Sequence, residues 1–206
     1  MNRPLCGIFV GGASRRMNGH PKGLLPCEPG GETIVGRLVR IVQALELPVV
    51  LVGQHEAYRP LGLPMLADQP PGVGPLGGLC ALLRHAQGRE VLALACDMPF
   101  VSQAFLERFL ALECPDADVV IAQTGPGAPL ETFLARYRAT ALPTVLQKIA
   151  EGERTLQRVL HSLNLQTVLL PEADQTVCQD WDTEAELPPA LKHQLPPQTN
   201  QTHRQQ

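Results

Sequence analysis

Short apolar runs alternate along the chain with longer segments in which apolar residues recur every three or four positions. An apolar run that is bounded by glycine, proline or polar residues predicts a buried β-strand, because a strand covered on both faces lacks polar alternation. This pattern predicts strands at residues 5–10, 48–52, 64–67, 91–96, 118–122, 131–137 and 166–170.

The periodic segments between these runs predict helices. Apolar residues of segment 33–45 fall on one face at helical spacing. Ser102 is placed to cap a helix that continues to residue 112, since a serine hydroxyl can accept a hydrogen bond from a free N–H group at a helix start. Further helices are predicted at 76–86, 139–151 and 154–163, and a short last one at 183–187.

Strands that alternate with helices predict an α/β fold, because the connecting helices cover both faces of a parallel sheet. We therefore predict a single domain over residues 1–187, a Rossmann-like three-layer sandwich with a mainly parallel central sheet. Residues 188–206 are mostly polar or proline, which predicts a disordered tail. Folds of this class bind ligands at the carboxyl ends of their strands, so the loops after Val10, Leu66 and Cys96 are of most interest.

Composition supports this fold class and excludes several kinds of partner. Hydrophobic residues make up 44% of the 206 residues and aromatic residues only 4%, which favours an aliphatic α/β core over an aromatic-rich β-sandwich. The formal net charge of −3 suggests neither a nucleic acid nor an anionic membrane as partner. No apolar run approaches the roughly 18 residues of a membrane span, and the first residues lack signal-peptide architecture.

The cysteines indicate a cellular location. Six cysteines are scattered along the chain, and no two of them form a CxxC pair. This spacing favours reduced thiols in a cytoplasmic protein over disulfides, and it does not favour a zinc site.

The loop after the first predicted strand carries the clearest sign of chemistry. Its sequence from Gly11 to Gly23 is GGASRRMNGHPKG. Glycines let a backbone approach a ligand and direct N–H groups into a concavity, and two arginines and a lysine can clamp a triphosphate. The spacing matches neither a Walker loop nor a dinucleotide fingerprint. The alternative is a solvated basic turn, but the strand, glycines and cations together favour a phosphate-binding loop.

Two aspartates that follow predicted strands are candidate ligands. Asp97 comes directly after the apolar run 91–96, where a carboxylate is costly unless it is paired or binds a metal. Mg²⁺ prefers one or two carboxylates together with phosphate oxygens and water, which makes Asp97 the best single metal-ligand candidate. The alternative is a turn aspartate before Pro99. Asp68 ends the third predicted strand and, considered alone, is more typical of a turn.

The segment Gly11-Gly-x-Ser-Arg-Arg-Met-x-Gly-x-x-Lys22-Gly-Leu-Leu resembles the signature loop of the molybdenum cofactor guanylyltransferases, which belong to a wider nucleotidyltransferase group. The resemblance extends from about residue 5 to residue 187. It implies GTP and the molybdopterin cofactor as substrates and Mg²⁺ as cofactor. The pair Gly11-Gly12 is typical of family members that use GTP, whereas related cytidylyltransferases tend to have Ala-Gly there.

The same resemblance implies roles for residues of the loop. The backbone at Phe9, Val10 and Gly11 would border the nucleotide, and Lys22 would contact its phosphates. Arg16 matches the arginine that stabilises charge at the reacting phosphate in the wider group.

Three later segments match the family with some departures. Cys96-Asp97-Met98-Pro99 matches a Cys-Asp-x-Pro segment whose aspartate binds Mg²⁺, and Asp68 corresponds to an aspartate that contacts the nucleotide. Asp180 and Asp182 replace the asparagines of an Asn-x-Asn-Thr segment. Either can supply a second metal contact, with Asp182 favoured, and the alternative is a cap on the last helix. Gly53 stands where the family often has an asparagine that contacts the nucleotide.

The expected activity is transfer of GMP from GTP to the molybdenum-molybdopterin cofactor with release of pyrophosphate. The attacking phosphate is already an anion, so positioning and charge neutralisation by Mg²⁺, Lys22, Arg16 and Asp97 would suffice. The alternatives are a related nucleotidyltransferase that uses CTP or another phosphorylated acceptor, and a nucleotide-binding module without turnover. Expected partners are GTP and the molybdopterin cofactor, with molybdoenzyme maturation proteins as further candidates.

Overall fold

A sheet of seven strands forms the centre of the structure, a computed structural model that describes residues 3–11, 21–28, 31–181 and 189. The strands are β1 (Leu5–Phe9), β2 (Val49–Val52), β3 (Met65–Leu66), β4 (Val91–Ala95), β5 (Val119–Gln123), β6 (Leu130–Tyr137) and β7 (Leu165–Leu169). Their order in the sheet is β3-β2-β1-β4-β6-β5-β7. Strand β6 is antiparallel to both of its neighbours, and all other pairs are parallel, which confirms a mainly parallel sheet.

Helices cover the two faces of this sheet. They are α1 (Ile34–Ala44), α2 (Pro75–His85), α3 (Gln103–Leu110), α4 (Ala141–Ala150) and α5 (Leu156–Leu160). The hydroxyl of Ser102 accepts a hydrogen bond from the Phe105 N–H group at 3.2 Å, so the predicted cap of α3 is confirmed. The hydroxyl of Thr33 caps α1 in the same way through Gly36 N–H.

The buried side chains form one cluster on each face of the sheet, as a three-layer sandwich requires. Strand β1 alternates between them, with Ile8 in the cluster that holds α1 and α3, and Phe9 in the cluster that holds α2, α4 and α5. This two-residue period is the geometry of a strand, and it confirms the predicted layers. In the part of the chain that the structure describes, no helix has the length and apolar character to cross a bilayer.

The predicted strands agree with the observed ones to within one residue at each end, but some helices are shorter than predicted. The predicted helix 154–163 is helical only over Leu156–Leu160, because Ser162 and Leu163 form tight turns and Asn164 accepts hydrogen bonds from the start of β5. Sheet pairing therefore ends the helix early. The predicted helix 183–187 and, apart from residue 189, the tail 188–206 lie outside the described residues.

Within the described residues, three 3₁₀ segments were not expected from the pattern. They are Lys22–Leu24, Glu56–Leu61 and Glu172–Cys178. A 3₁₀ helix has three residues per turn and is usually short, so a search for the α-helical period does not find it. All three segments contribute residues that line or support the cavity described below.

Candidate active site

The carboxyl ends of β1, β3 and β4 face one cavity of about 810 Å³. These strands belong to the parallel part of the sheet, where carboxyl ends share an edge. Residues predicted for the site that line this cavity are Phe9, Val10, Gly11, Lys22, Asp68 and Asp97. Of the other predicted residues, Gly12, Arg16 and Asp182 lie outside the described residues.

Backbone hydrogen bonds fix the strand ends that form the floor of the cavity. Val10 N–H donates to Val52 O at 2.9 Å, and Cys96 N–H donates to Phe9 O at 3.1 Å. On the other side, Gly53 N–H donates to Leu66 O at 2.8 Å. The loops that carry the candidate residues therefore start from fixed points of the sheet.

Lys22 and Asp97 form an ion pair in this cavity. The Lys22 Nζ atom lies 3.1 Å from Asp97 Oδ2, and both side chains are more than four-fifths buried, at 17% and 18% exposed. A second carboxylate oxygen, Asp180 Oδ2, lies 4.0 Å from the same Nζ atom and belongs to a half-exposed side chain. One ammonium group thus faces two carboxylates. Lys22, predicted to bind phosphate, is in contact with Asp97, predicted to bind a metal.

The turn that carries Lys22 is attached to the start of α1. Leu25 N–H donates to Lys22 O at 3.0 Å, and Ile34 N–H donates to Leu25 O at 2.9 Å. Leu25 and Ile34 are buried. Since these apolar side chains hold the turn, the position of Lys22 depends on the hydrophobic core as well as on its ion pair.

Asp68 is held beside the start of α2 by a close approach of the chain. Gln69 N–H donates to Gly77 O at 3.0 Å, and a Cβ atom on Gly77 would lie 2.4 Å from Pro70 O. A Cβ atom on Gly78 would lie 3.0 Å from Phe9 Cε1 and 3.4 Å from Asp68 Oδ1. Gly77 and Gly78 therefore let α2 pack against both β1 and the Asp68 turn. Partial burial raises the pKa of the Asp68 carboxyl above its ordinary value.

Comparison with known proteins places the chain in a family. The family model described as "MobA-like NTP transferase domain" matches residues 6–168, well over half of the chain. The chain belongs to the MobA-like NTP transferases. The resemblance found in the sequence motifs and the predicted enzyme class are thereby confirmed.

Relatives and solved structures agree with this membership. The chain is 32% identical over 178 residues to the molybdenum cofactor guanylyltransferase of Pseudomonas putida. The matched region covers 84% of this chain and 91% of that protein. It is 38% identical over 139 residues to a probable molybdenum cofactor guanylyltransferase of Carboxydothermus hydrogenoformans, 67% of each chain.

Solved structures share the fold at lower identity. The molybdopterin-guanine dinucleotide biosynthesis protein A of Archaeoglobus fulgidus has a TM-score of 0.69 at 23% identity, with 91% of this chain and 95% of that chain covered. A 2-C-methyl-D-erythritol 4-phosphate cytidylyltransferase of Thermus thermophilus has a TM-score of 0.56 at 17% identity, with 86% and 97% covered. These likenesses show the Rossmann-like nucleotidyltransferase fold.

In this MobA-like NTP transferase, steric crowding explains why position 53 is a glycine. Its φ angle is 111°, and a Cβ atom would lie 2.8 Å from the nitrogen of Gly11 and 3.0 Å from its Cα atom. An asparagine would require both a different φ angle and a displacement of the first residue of the phosphate loop. The glycine therefore lets the backbones of residues 11 and 53 lie in close contact.

The residues on the β6 side of the cavity were not predicted from the sequence. Glu131 is half-buried, and burial, with a smaller contribution from the negative charge of Asp180, raises the pKa of its carboxyl. The Phe133 ring lies 4.5 Å from the Phe9 ring between centroids. Gln157 Nε2 donates to Leu130 O at 2.6 Å and so holds the start of the strand. A charged residue at the start of an apolar strand was the available signal for Glu131.

Tyr58 and His55 were missed because they belong to the 3₁₀ segment Glu56–Leu61 and its cap. Both line the cavity, and their rings make an edge contact with centroids 5.6 Å apart. No apolar period marks such a segment in the sequence. The tyrosine hydroxyl contacts the turn that carries Lys22, as described below.

Proposed function

We propose that this protein transfers GMP from GTP to the molybdenum-molybdopterin cofactor, forming the guanine dinucleotide cofactor and releasing pyrophosphate. Family membership and the names of the relatives support this activity. The observation that carries the proposal is the Lys22–Asp97 pair, 3.1 Å apart at the carboxyl ends of β1 and β4. One triphosphate can contact both side chains, because they line the same cavity as Gly11, the first residue of the predicted phosphate loop.

The nucleotide would occupy the side of the cavity formed by β1, β2 and α2. The backbone of Phe9, Val10 and Gly11 would border it there, and Asp68 would contact it from the end of β3. Lys22 would bind the phosphates, since it lines the cavity and its ammonium group is held beside Asp97. Gly12 and Arg16 would complete the phosphate loop, with Arg16 at the reacting phosphate.

The carboxylates beside Lys22 are of the kind that Mg²⁺ prefers. Oxygens of Asp97 and Asp180 lie within 4.0 Å of the Lys22 ammonium group, so two hard oxygen donors face one position of positive charge. Asp97 would hold the metal, with Asp182 as the second proposed ligand. Mg²⁺ at this position would neutralise charge on the triphosphate and on the departing pyrophosphate.

Catalysis would consist of positioning and of neutralising charge. The acceptor phosphate is an anion and attacks the α-phosphorus without a protein base, while pyrophosphate leaves. Lys22 would stabilise the charge that develops on the phosphate oxygens, and its partial burial makes this interaction stronger than at the surface. Neither a nucleophilic side chain nor a general base is required.

We place the acceptor on the β6 side of the cavity. Glu131 and Phe133 stand two residues apart on β6, and both line the cavity. An aromatic ring and a half-buried carboxyl suit a heterocycle with N–H donors, such as a pterin. We infer a cytoplasmic location from the scattered thiols.

Pyrophosphate release by the purified protein with Mg-GTP and molybdopterin tests this proposal, with the guanine dinucleotide product identified by mass spectrometry. Lys22→Ala and Asp97→Ala are expected to lower the rate about a hundredfold or more, a loss of about 3 kcal/mol in transition-state stabilisation. Glu107→Gln is a matched control, because this glutamate is exposed on α3 and does not line the cavity.

Each alternative predicts a different result in the same assay. Faster turnover of CTP than of GTP, or turnover only with another acceptor, would assign a related nucleotidyltransferase activity. Nucleotide binding without pyrophosphate release would indicate a binding module. Near-normal rates for both alanine variants would remove the Lys22–Asp97 pair from the mechanism.

A further inference from the structure

The hydroxyl of Tyr58 lies between the turn that carries Lys22 and the strand end that carries Asp97. Tyr58 is only 2% exposed and belongs to the 3₁₀ segment Glu56–Leu61. Gly23 N–H donates a hydrogen bond to Tyr58 Oη at 3.2 Å. The same oxygen lies 3.7 Å from Cys96 Sγ, within hydrogen-bond distance for sulfur. Gly23 is the chain neighbour of Lys22, and Cys96 is the chain neighbour of Asp97, so Tyr58 contacts a neighbour of each member of the ion pair.

The contact between the turn and the strand end is tight. A Cβ atom on Gly23 would lie 2.9 Å from Cys96 Cβ, 3.0 Å from Tyr58 Oη and 3.1 Å from Cys96 O. Only a residue without a side chain can occupy this position without displacing its neighbours. The turn therefore packs directly against Cys96, the residue before Asp97. The Tyr58 hydroxyl also contacts Gly23.

Tyr58 is itself held firmly. Its backbone N–H donates to His55 O at 3.0 Å, and His55 Nδ1 accepts a hydrogen bond from Ala57 N–H at 3.2 Å. Burial raises the pKa of the Tyr58 hydroxyl, which therefore stays neutral. A neutral hydroxyl can accept from Gly23 and still make the contact with sulfur.

We propose that Tyr58 is a positioning residue: its hydroxyl holds the Lys22–Gly23 turn so that the Lys22 ammonium group faces Asp97. It does not need to touch a substrate. Without the hydroxyl, the Gly23 N–H group loses its partner and the turn loses one of the contacts that fix it to the strand end. The consequence for turnover rests on the proposed function, whereas the effect on the position of Lys22 does not.

The position of Lys22 can be tested in the full chain without any substrate. An amine-selective acylating reagent at limiting concentration labels lysines, and peptide mass spectrometry gives the rate at each site. In Tyr58→Phe, the labelling rate of Lys22 relative to Lys148 is expected to rise several-fold, because a displaced Lys22 leaves its 17% exposed position. Lys148 serves as the internal reference, since it pairs with Glu151 on the surface of α4.

A matched control is provided by the other tyrosine of the chain. Tyr137 is also buried, and its hydroxyl donates to Thr132 O at 2.8 Å. Tyr137→Phe removes a buried hydroxyl elsewhere and is expected to leave the Lys22-to-Lys148 ratio unchanged. An unchanged ratio in Tyr58→Phe, or an equal rise in both variants, would overturn the proposal. If Tyr58→Phe does not fold, Gly23→Ala tests the same contact from the turn side, with the same expected rise and the same overturning result.

Kinetics then separate positioning from a general structural role. Tyr58→Phe is expected to lower the rate of pyrophosphate release about tenfold, and Tyr58→Phe combined with Lys22→Met should be no slower than Lys22→Met alone. Losses that multiply in the double variant would contradict an action through Lys22. If the wild-type protein releases no pyrophosphate, the proposed function fails, while the labelling experiment still decides the role of Tyr58.

Discussion

The Lys22 Nζ atom lies 3.1 Å from Asp97 Oδ2, although 75 positions separate the two residues in the chain. The ion pair exists because β1 and β4 are neighbouring parallel strands, so the loops that follow them leave the sheet side by side. Both side chains are largely buried, which reduces screening by water. Their interaction therefore places a cation and a metal-ligand candidate together before any substrate binds.

This pair predicts opposite effects of two variants on divalent cation binding in the absence of nucleotide. Lys22→Met removes a positive charge beside Asp97 and is expected to tighten binding of Mn²⁺ several-fold, because repulsion between the ammonium group and the cation disappears. Asp97→Asn should weaken it by at least as much. Electron paramagnetic resonance of free Mn²⁺ measures both affinities. A weaker affinity in Lys22→Met would contradict the repulsion argument, and an unchanged affinity in Asp97→Asn would show that Asp97 is not a ligand of the cation.

Gly53→Ala should disturb the first residue of the phosphate loop. The added Cβ atom would lie 2.8 Å from Gly11 N, and φ of 111° is unfavourable for alanine. We expect a loss of about 1–3 kcal/mol in the free energy of unfolding and a GTP affinity at least about tenfold weaker. Denaturant unfolding and calorimetric titration measure the two effects. Gly125→Ala is the matched control, since nothing lies within 4 Å of its Cβ position. Equal behaviour of the two variants would refute the steric argument.

Glu131→Gln should change how stability depends on pH. Burial, followed by the charge of Asp180, raises the pKa of Glu131 in the folded protein above the ordinary 4.5. At pH values between the ordinary pKa and the raised pKa, the folded state binds more protons than the unfolded state. The free energy of unfolding therefore falls as pH rises through this interval. The variant lacks this loss, and its stability relative to the wild type should increase above about pH 4.5.

Thermal unfolding across a pH series measures this difference. Glu151→Gln provides a control of opposite sign, because the hydrogen bond from Lys148 lowers the pKa of Glu151. That variant should lose relative stability over the acidic range as pH rises. A flat difference curve for Glu131→Gln would mean that Glu131 ionises normally.

Arg136→Met should destabilise the fold without changing the site. Arg136 is buried, and its guanidinium group donates to the carbonyls of Phe109, Leu110 and Leu112 at the end of α3. Its Nε atom lies 3.3 Å from a Glu90 carboxylate oxygen without forming a hydrogen bond. Loss of these partners is expected to cost about 3 kcal/mol in the free energy of unfolding.

Urea unfolding measures the loss of stability in Arg136→Met. At a temperature where the variant is folded, its GTP affinity should stay within about twofold of the wild-type affinity, a difference of roughly 0.4 kcal/mol. Arg158→Met is the control, since the Arg158 side chain is 76% exposed where it pairs with Glu153, and ion pairs of exposed side chains contribute little to stability. A similar cost for both variants would show that the carbonyl contacts of Arg136 contribute little.

The elements of the sheet were predictable because their signal is local. An apolar run such as Val91–Ala95 is buried on both faces and needs no partner to be found in the sequence. Three of the loops that form the cavity could also be placed, because parallel strands deliver their carboxyl ends to one edge. The 3₁₀ segment with Tyr58 and the cavity-facing role of Glu131 were not predictable from periodicity, since neither follows an α-helical or strand period.

By itself, the sequence determined the order of strands and helices, the two-layer cover of the sheet and the chemical groups in each loop, because backbone propensity and burial act over neighbouring residues. The tertiary structure alone decided which of those groups meet: Lys22 with Asp97, Gly11 with Gly53, and Tyr58 with the Lys22 turn. Such contacts depend on strand order and on the packing of distant segments to within a few tenths of an ångström. No local pattern carries that information, since each contact joins residues that lie far apart in the chain.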